Sequence, residues 1–242
     1  MSESIARAID HAVLHPTLTE AQLREGCELA LKLGTASVCI KPYAVPLAAQ
    51  LLAGSPVAVC TVIGFPHGSH ATDVKRYEAE LACRQGAGEL DMVVNVGKAL
   101  DRDWAYVEAD IRAVADVAHE HGGLAKVIFE TEFLPDDDVK IELCRICSRA
   151  GADFVKTSTG FGYIARPQGG FGTIGATDHD IKLMRAHAAP HVGVKASGGV
   201  RTYQDAVRVM ALGATRIGTS STAAIVAGQH AEVPQPCAEP GY

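Results

Sequence analysis

The sequence predicts an α/β fold in a single domain, a closed (β/α)8 or TIM barrel, on three observations. Short β-branched apolar runs alternate with longer stretches of helical period. Several helical stretches end in glycine and pass at once into the next apolar run. The length, 242 residues, lies close to the roughly 250 typical of such barrels.

Taken in order, strands are expected near 36–41, 57–63, 89–95, 124–130, 153–157, 192–196 and 215–219, with helices over 20–33, 73–86, 103–121, 137–150, 178–188 and 203–212. Gly34, Gly86, Gly122, Gly151 and Gly213 close five of those helices. The repeated order implies parallel strands with crossover helices. An eighth strand must come from the chain start, where IDHAVL (9–14) is the only candidate. No glycine-rich dinucleotide fingerprint follows an early strand, which weighs against an open sheet. The barrel domain is set at 1–227. The remainder, 228–242, carries three prolines and little periodicity and reads as a loosely ordered tail.

Composition narrows the function classes. With 48% hydrophobic residues the chain can bury a large core without disulfide staples. A net charge of −6 with no basic stretch disfavours a nucleic-acid partner. The N-terminus lacks the basic region and apolar run of a secretory signal, and no stretch approaches 18 uninterrupted apolar residues. No membrane partner and a cytoplasmic location are expected. The seven cysteines read as reduced thiols. Cys144 and Cys147 form a lone C-x-x-C inside a predicted helix and read as core thiols. Without H-E-x-x-H spacing among the histidines, no catalytic metal is expected, and no cofactor is expected either.

Lysine stands inside three strand runs: LAKVIFE (Lys126), DFVKTS (Lys156) and VGVKAS (Lys195). Parallel strands are covered on both faces, so three outward lysines are hard to accommodate. Near the C-terminal strand ends of a barrel, inward residues build the active site. A free lysine titrates near 10.4; burial and a second ammonium both favour the neutral amine, which attacks carbonyls. The same pair could instead bind a phosphate or a carboxylate. Asp91, in the apolar run ELDMVVN, would be costly unpaired, and a lysine across the barrel would satisfy it. It suits proton transfer, or else a plain ion pair. SGG (197–199) and GTSS (218–221) follow the last two strands, where many barrels bind phosphate. STG (158–160), including Thr159, could add donors.

These residues carry a resemblance. IDHAVLHP (9–16), SVCIKP (37–42), VIGFPHG (62–68), ELDMVVNVG (89–97), AKVIFET (125–131), DFVKTSTGFG (153–162), VGVKASGGVRT (192–202) and GATRIGTSS (213–221) make the chain similar to the bacterial deoxyribose-phosphate aldolase family over roughly 5–227. The resemblance implies Lys156 as the Schiff-base lysine, Lys195 as the second lysine and Asp91 as general acid/base. It implies Gly160, Gly198, Gly199, Ser220 and Ser221 as phosphate-holding positions, and Lys126 and Asp10 as supporting polar residues. It also implies small phosphorylated-aldehyde and acetaldehyde substrates, and no metal. Pairing through outer helices suggests a homodimer. Other Schiff-base barrels, of transaldolase or keto-acid type, would want an arginine at the mouth, for which Arg166 is the candidate. A non-catalytic phospho-sugar binding barrel would lack one of Asp91, Lys156 and Lys195.

The chain departs from the family pattern in four places. YIARPQGGFGTI (163–174) intervenes between STGFG and GAT and should lie at the mouth, as a tolerated loop or as an entrance-shaping one. Ala12 replaces a common threonine. Phe161 stands where some relatives have lysine. The tail ends in Tyr242, and some relatives fold a C-terminal tyrosine into the site as a proton shuttle.

Overall fold

The computed structural model describes residues 4–165 and 169–230. Eight strands close into a parallel barrel: β1 (Ile9–Val13), β2 (Ser37–Ile40), β3 (Ala58–Ile63), β4 (Glu89–Val93), β5 (Leu124–Ile128), β6 (Phe154–Lys156), β9 (Gly193–Ser197) and β10 (Arg216–Thr219). Neighbours in the chain are neighbours in the barrel, and β10 closes onto β1 through Ile9–Ile217 and His11–Thr219. IDHAVL does supply the missing strand. The extra pair, β7 (Ile164–Ala165) and β8 (Phe171–Gly172), is antiparallel and stands outside the barrel. The 163–174 insert therefore has a two-stranded ladder of its own.

The helices are α1 (Glu20–Leu33), α2 (Val45–Leu51), α3 (Thr72–Arg84), α4 (Val96–Leu100), α5 (Trp104–Glu120), α6 (Asp137–Ala150), α7 (Asp178–His187), α8 (Tyr203–Ala211) and α9 (Thr222–His230). All five anticipated closing glycines adopt positive φ, from +67° at Gly34 to +109° at Gly86, where a Cβ would be strained. At the other ends, Thr177, Asp103 and Thr202 accept from backbone N–H groups three residues on, which satisfies one free donor of each first turn. Sequence patterning missed α9. It carries Gly228 and Gln229, so those residues belong to the helical layer rather than to the tail. Positions 231–242, with Tyr242, and Arg166 lie outside the described residues.

Most of the core fills the space between strands and helices; the barrel interior is largely polar. Among the described residues no helix is long and apolar enough to cross a membrane. The six described cysteines are free and buried. Burial pushes the Cys144 thiol up to about 12 and the Cys147 thiol well above its ordinary range, as expected of inert core thiols.

Candidate active site

Side chains alternate along a strand, so Glu89 and Asp91 on β4 share one face. That face is the barrel interior. β4 and β5 are in register with Asp91 opposite Lys126. β6 and β9 place Lys156 opposite Lys195, and β9 and β10 place Lys195 opposite Arg216. Parallel register thus stacks four cations and three carboxylates inside one barrel.

Asp91 is the hub. Its Oδ2 accepts from Lys156 Nζ at 2.6 Å and from Lys195 Nζ at 2.7 Å, and its Oδ1 accepts from Lys126 Nζ at 2.7 Å. The Cys60 thiol donates to Oδ1 at 3.3 Å. Asp10 accepts from Lys195 through Oδ2, and from Arg216 and Ser37 through Oδ1, each at 2.7 Å. Glu89 pairs with Lys126 at 2.7 Å and Arg216 at 3.3 Å.

Burial alone would raise the Asp91 carboxyl, but Lys126, Lys156 and Lys195 outweigh it and hold the group well below the carboxylate range. Asp10 is likewise held low against burial, by Lys195, Lys126 and Arg216. Burial would lower Lys195, yet Asp10 and Asp91 keep it above the ordinary lysine range. Lys126 is raised in the same way, chiefly by Asp91. A lysine pair alone would shed a proton through mutual repulsion; the carboxylates between these lysines keep Lys195 and Lys126 charged instead.

Above the cluster opens a cavity of about 370 Å3. Lys156, the last residue of β6, and Lys195 reach its floor, together with Asp10 and Cys39. Lys126 and Asp91 are fully buried beneath. The rim is formed by Gly160, Gly198, Gly199, Ser220 and Ser221, so the turns after β6, β9 and β10 meet in one place. Ser221 directly precedes α9, whose first turn presents backbone N–H groups. Thr159 also lines the cavity, but its amide (3.0 Å) and hydroxyl are both donated to Glu130. Ala12 lies on the wall. Phe161 packs edge-to-face on Phe65 at 5.5 Å between ring centroids, giving an apolar wall where a lysine would have given charge.

Sequence reading missed Glu89, Arg216, Ser37 and Arg201. The period of two could have found the first two: Glu89 lies two residues before Asp91, and Arg216 two before Gly218. Arg201 lines the rim beside Gly199 and Val200 and stands in the VRT of an already conspicuous motif. Ser37 carries no signal of its own.

The chain's relatives carry the same architecture. A family model described as DeoC/LacD family aldolase matches residues 4–227. A deoxyribose-phosphate aldolase of Clostridium perfringens is 49% identical over 227 residues, 94% of this chain and 96% of that one. One from Thermococcus gammatolerans is 47% identical over 226 residues, covering 93% and 96%. The solved deoxyribose phosphate aldolase of Aeropyrum pernix, described as a tetramer, superposes with a TM-score of 0.83 at 33% identity, over 93% of this chain and 91% of that one. The chain belongs to the DeoC/LacD aldolase family.

Proposed function

We propose that this protein is a class I aldolase that reversibly cleaves 2-deoxy-D-ribose 5-phosphate to D-glyceraldehyde 3-phosphate and acetaldehyde. The observation that carries the reading is Asp91 Oδ2, which accepts from both Lys156 and Lys195 at the floor of the cavity. One carboxylate oxygen is thus within reach of the nucleophile and of a second ammonium.

Attack on a carbonyl requires an uncharged amine. The cluster holds Lys126, Lys156, Lys195 and Arg216 against Asp10, Glu89 and Asp91, so one proton is in surplus. Lys156 has a single carboxylate partner, shared with two other lysines, whereas Lys195 pairs with Asp10 and Asp91. Losing the Lys156 proton breaks the fewest ion pairs.

The neutral amine adds to C1 of the open-chain sugar, and loss of water gives a protonated imine. A base takes the C3 hydroxyl proton, the C2–C3 bond breaks, and its electron pair moves into the imine to give an enamine and free D-glyceraldehyde 3-phosphate. Protonation of the enamine carbon and uptake of water release acetaldehyde and the amine. Asp91 with Lys195 is proposed to carry these protons, a role that their shared contact through Oδ2 supports. The imine itself is the electron sink, so this route calls for no metal or cofactor.

The phosphate end is assigned to Gly160, Gly198, Gly199, Ser220 and Ser221, with Arg201 at the rim. Thr159 acts through its bonds to Glu130 as a positioning residue. Lys126 helps to keep the hub ionised, and Asp10 keeps Lys195 charged. Tyr242 is proposed as a proton shuttle: twelve residues follow His230, and an extended chain of that length spans up to about 40 Å. Removing Tyr242 without changing the acetaldehyde α-proton exchange rate would end that idea. A cytoplasmic location accords with the free buried thiols. Self-association, as a dimer, is supported by an exposed apolar stripe on α3, Val74, Tyr77 and Leu81; sedimentation distinguishes a dimer from a tetramer.

The decisive experiment is borohydride reduction in the presence of acetaldehyde, followed by peptide mass mapping. An ethylated Lys156 is the expected result. Modification of another lysine, or of none, would overturn the assignment.

A further inference from the structure

Two glutamates of the short turn after β5 hold the two limbs of the segment that carries the mouth hairpin. Glu130 takes the amide and hydroxyl of Thr159, on the outgoing limb just past Lys156. Glu132 takes the return limb: its carboxylate accepts from the amides of Ile174 at 2.7 Å and Gly175 at 2.9 Å. Both amides follow Thr173, which lines the cavity.

The return limb in turn presses on the turn assigned to phosphate. Gly175 and Gly198 both adopt positive φ, and a Cβ on Gly175 would lie 2.6 Å from the Gly198 carbonyl carbon. Ala176 N donates to Gly198 O at 3.0 Å. One carboxylate therefore holds the limb returning from the hairpin between Thr173, on the cavity wall, and the contact with Gly198.

Charge alone argues against an acidic side chain here, because a carboxylate repels a phosphorylated ligand. Both of its oxygens are instead engaged by backbone N–H groups. We propose that Glu132 is a specificity-determining positioning residue, which holds the hairpin limb against the 197–199 turn and so sets the fit of the phosphorylated end of the acceptor aldehyde. The inference rests on the phosphate placement proposed above.

The test compares wild type, Glu132→Gln and Glu132→Ala in two assays. Acetaldehyde α-proton exchange in deuterated water reports Lys156 and Asp91 without any acceptor. Aldol addition is then measured with D-glyceraldehyde 3-phosphate and with unphosphorylated D-glyceraldehyde. Glu132→Ala should raise KM for the phosphorylated acceptor roughly tenfold, the scale of a lost charge-assisted hydrogen bond, with kcat, the unphosphorylated KM and the exchange rate little changed. Glu132→Gln should fall between, since its amide oxygen still accepts. If the alanine variant does not fold, the glutamine variant carries the test. A lower KM for the phosphorylated acceptor, the sign of a charge effect, overturns the inference, as does an equal rise for both acceptors or no change. Absence of exchange in the wild type would overturn the aldolase reading itself, and this inference with it.

Discussion

Two buried charge systems in this molecule are built on opposite principles. Between α3 and α5, Lys75 donates to Asp110 at 2.5 Å and to the Val93 carbonyl at 2.9 Å, while Thr72 donates to the other Asp110 oxygen at 2.9 Å. Both side chains are fully buried, and the system is balanced, one cation to one carboxylate. Inside the barrel, four cations share three carboxylates. A balanced, fully bonded pair leaves neither charge without a partner. The unbalanced cluster has one basic side chain more than it has carboxylates, and Lys156 has only one carboxylate partner where Lys195 has two. The difference is what would separate a structural use of buried lysine from the chemical one proposed for Lys156.

The sharpest way to break this comparison is to remove one lysine from each system. Lys156→Leu should lower kcat/KM by at least roughly ten-thousandfold, about 5 kcal/mol of barrier, while leaving thermal stability level or higher, because the surplus cation goes with it. A pronounced fall in Tm would show that the charge is not surplus. Lys75→Met should do the reverse. It strands Asp110 in the core at a cost of about 3–5 kcal/mol in stability, read as a lower urea midpoint, with kcat/KM per folded molecule kept within about threefold, roughly 0.6 kcal/mol.

Acid sharpens the picture further. The Asp91 and Asp10 carboxyls are held below the ordinary range near 3.8. Their contribution to stability is complete above that range and is lost as pH falls toward the depressed folded values. Lys126 and Lys195 are held above the ordinary range near 10.5, so their contribution is complete below it and fades as pH climbs past it. Urea midpoints of the wild type should therefore be level between about pH 5 and 10 as far as this cluster is concerned, and fall on either side. Asp91→Asn should flatten the acid limb; equal acid slopes for the two proteins would refute the coupling.

The frame of the molecule was legible because it is written in short-range chemistry. Short β-branched apolar runs named seven barrel strands and left IDHAVL as the only candidate for the eighth, and glycines marked where helices turn back. The lysines were legible because a charge inside VGVKAS or DFVKTS has no apolar explanation. What stayed hidden is what register decides between strands distant in the chain. Asp91 bonds across 104 positions to Lys195, and Asp10 across 185, and no local pattern announces such a meeting. Arg216 and Glu89 stand at strand starts, where a charge is unremarkable, so the size of the cluster was missed. The reading of two lysines repelling each other named Asp91 and Asp10 but did not set them between the lysines. α9 was overlooked because TAAIVAGQH is apolar and small-residue rich rather than amphipathic, and the β7–β8 hairpin because its strands are only two residues each.

The smallest expected effect concerns Cys60, and it tests whether the ammonium groups rather than every contact of Asp91 set the hub. The Cys60 thiol donates to Asp91 Oδ1 and accepts from Lys126 Nζ, both at 3.3 Å. A thiol is a weak donor, and Asp91 would still hold three ammonium donors at 2.6–2.7 Å without it. Cys60→Ala should then change kcat/KM by about threefold or less, roughly 0.6 kcal/mol. It should cost only on the order of 1 kcal/mol in stability for the small void left, and leave borohydride trapping on Lys156 intact. A loss of activity approaching that of Lys156→Leu would mean that the thiol, and not the excess of cations, governs the carboxylate, and the contrast with the balanced Lys75–Asp110 pair would no longer support the role proposed for Lys156.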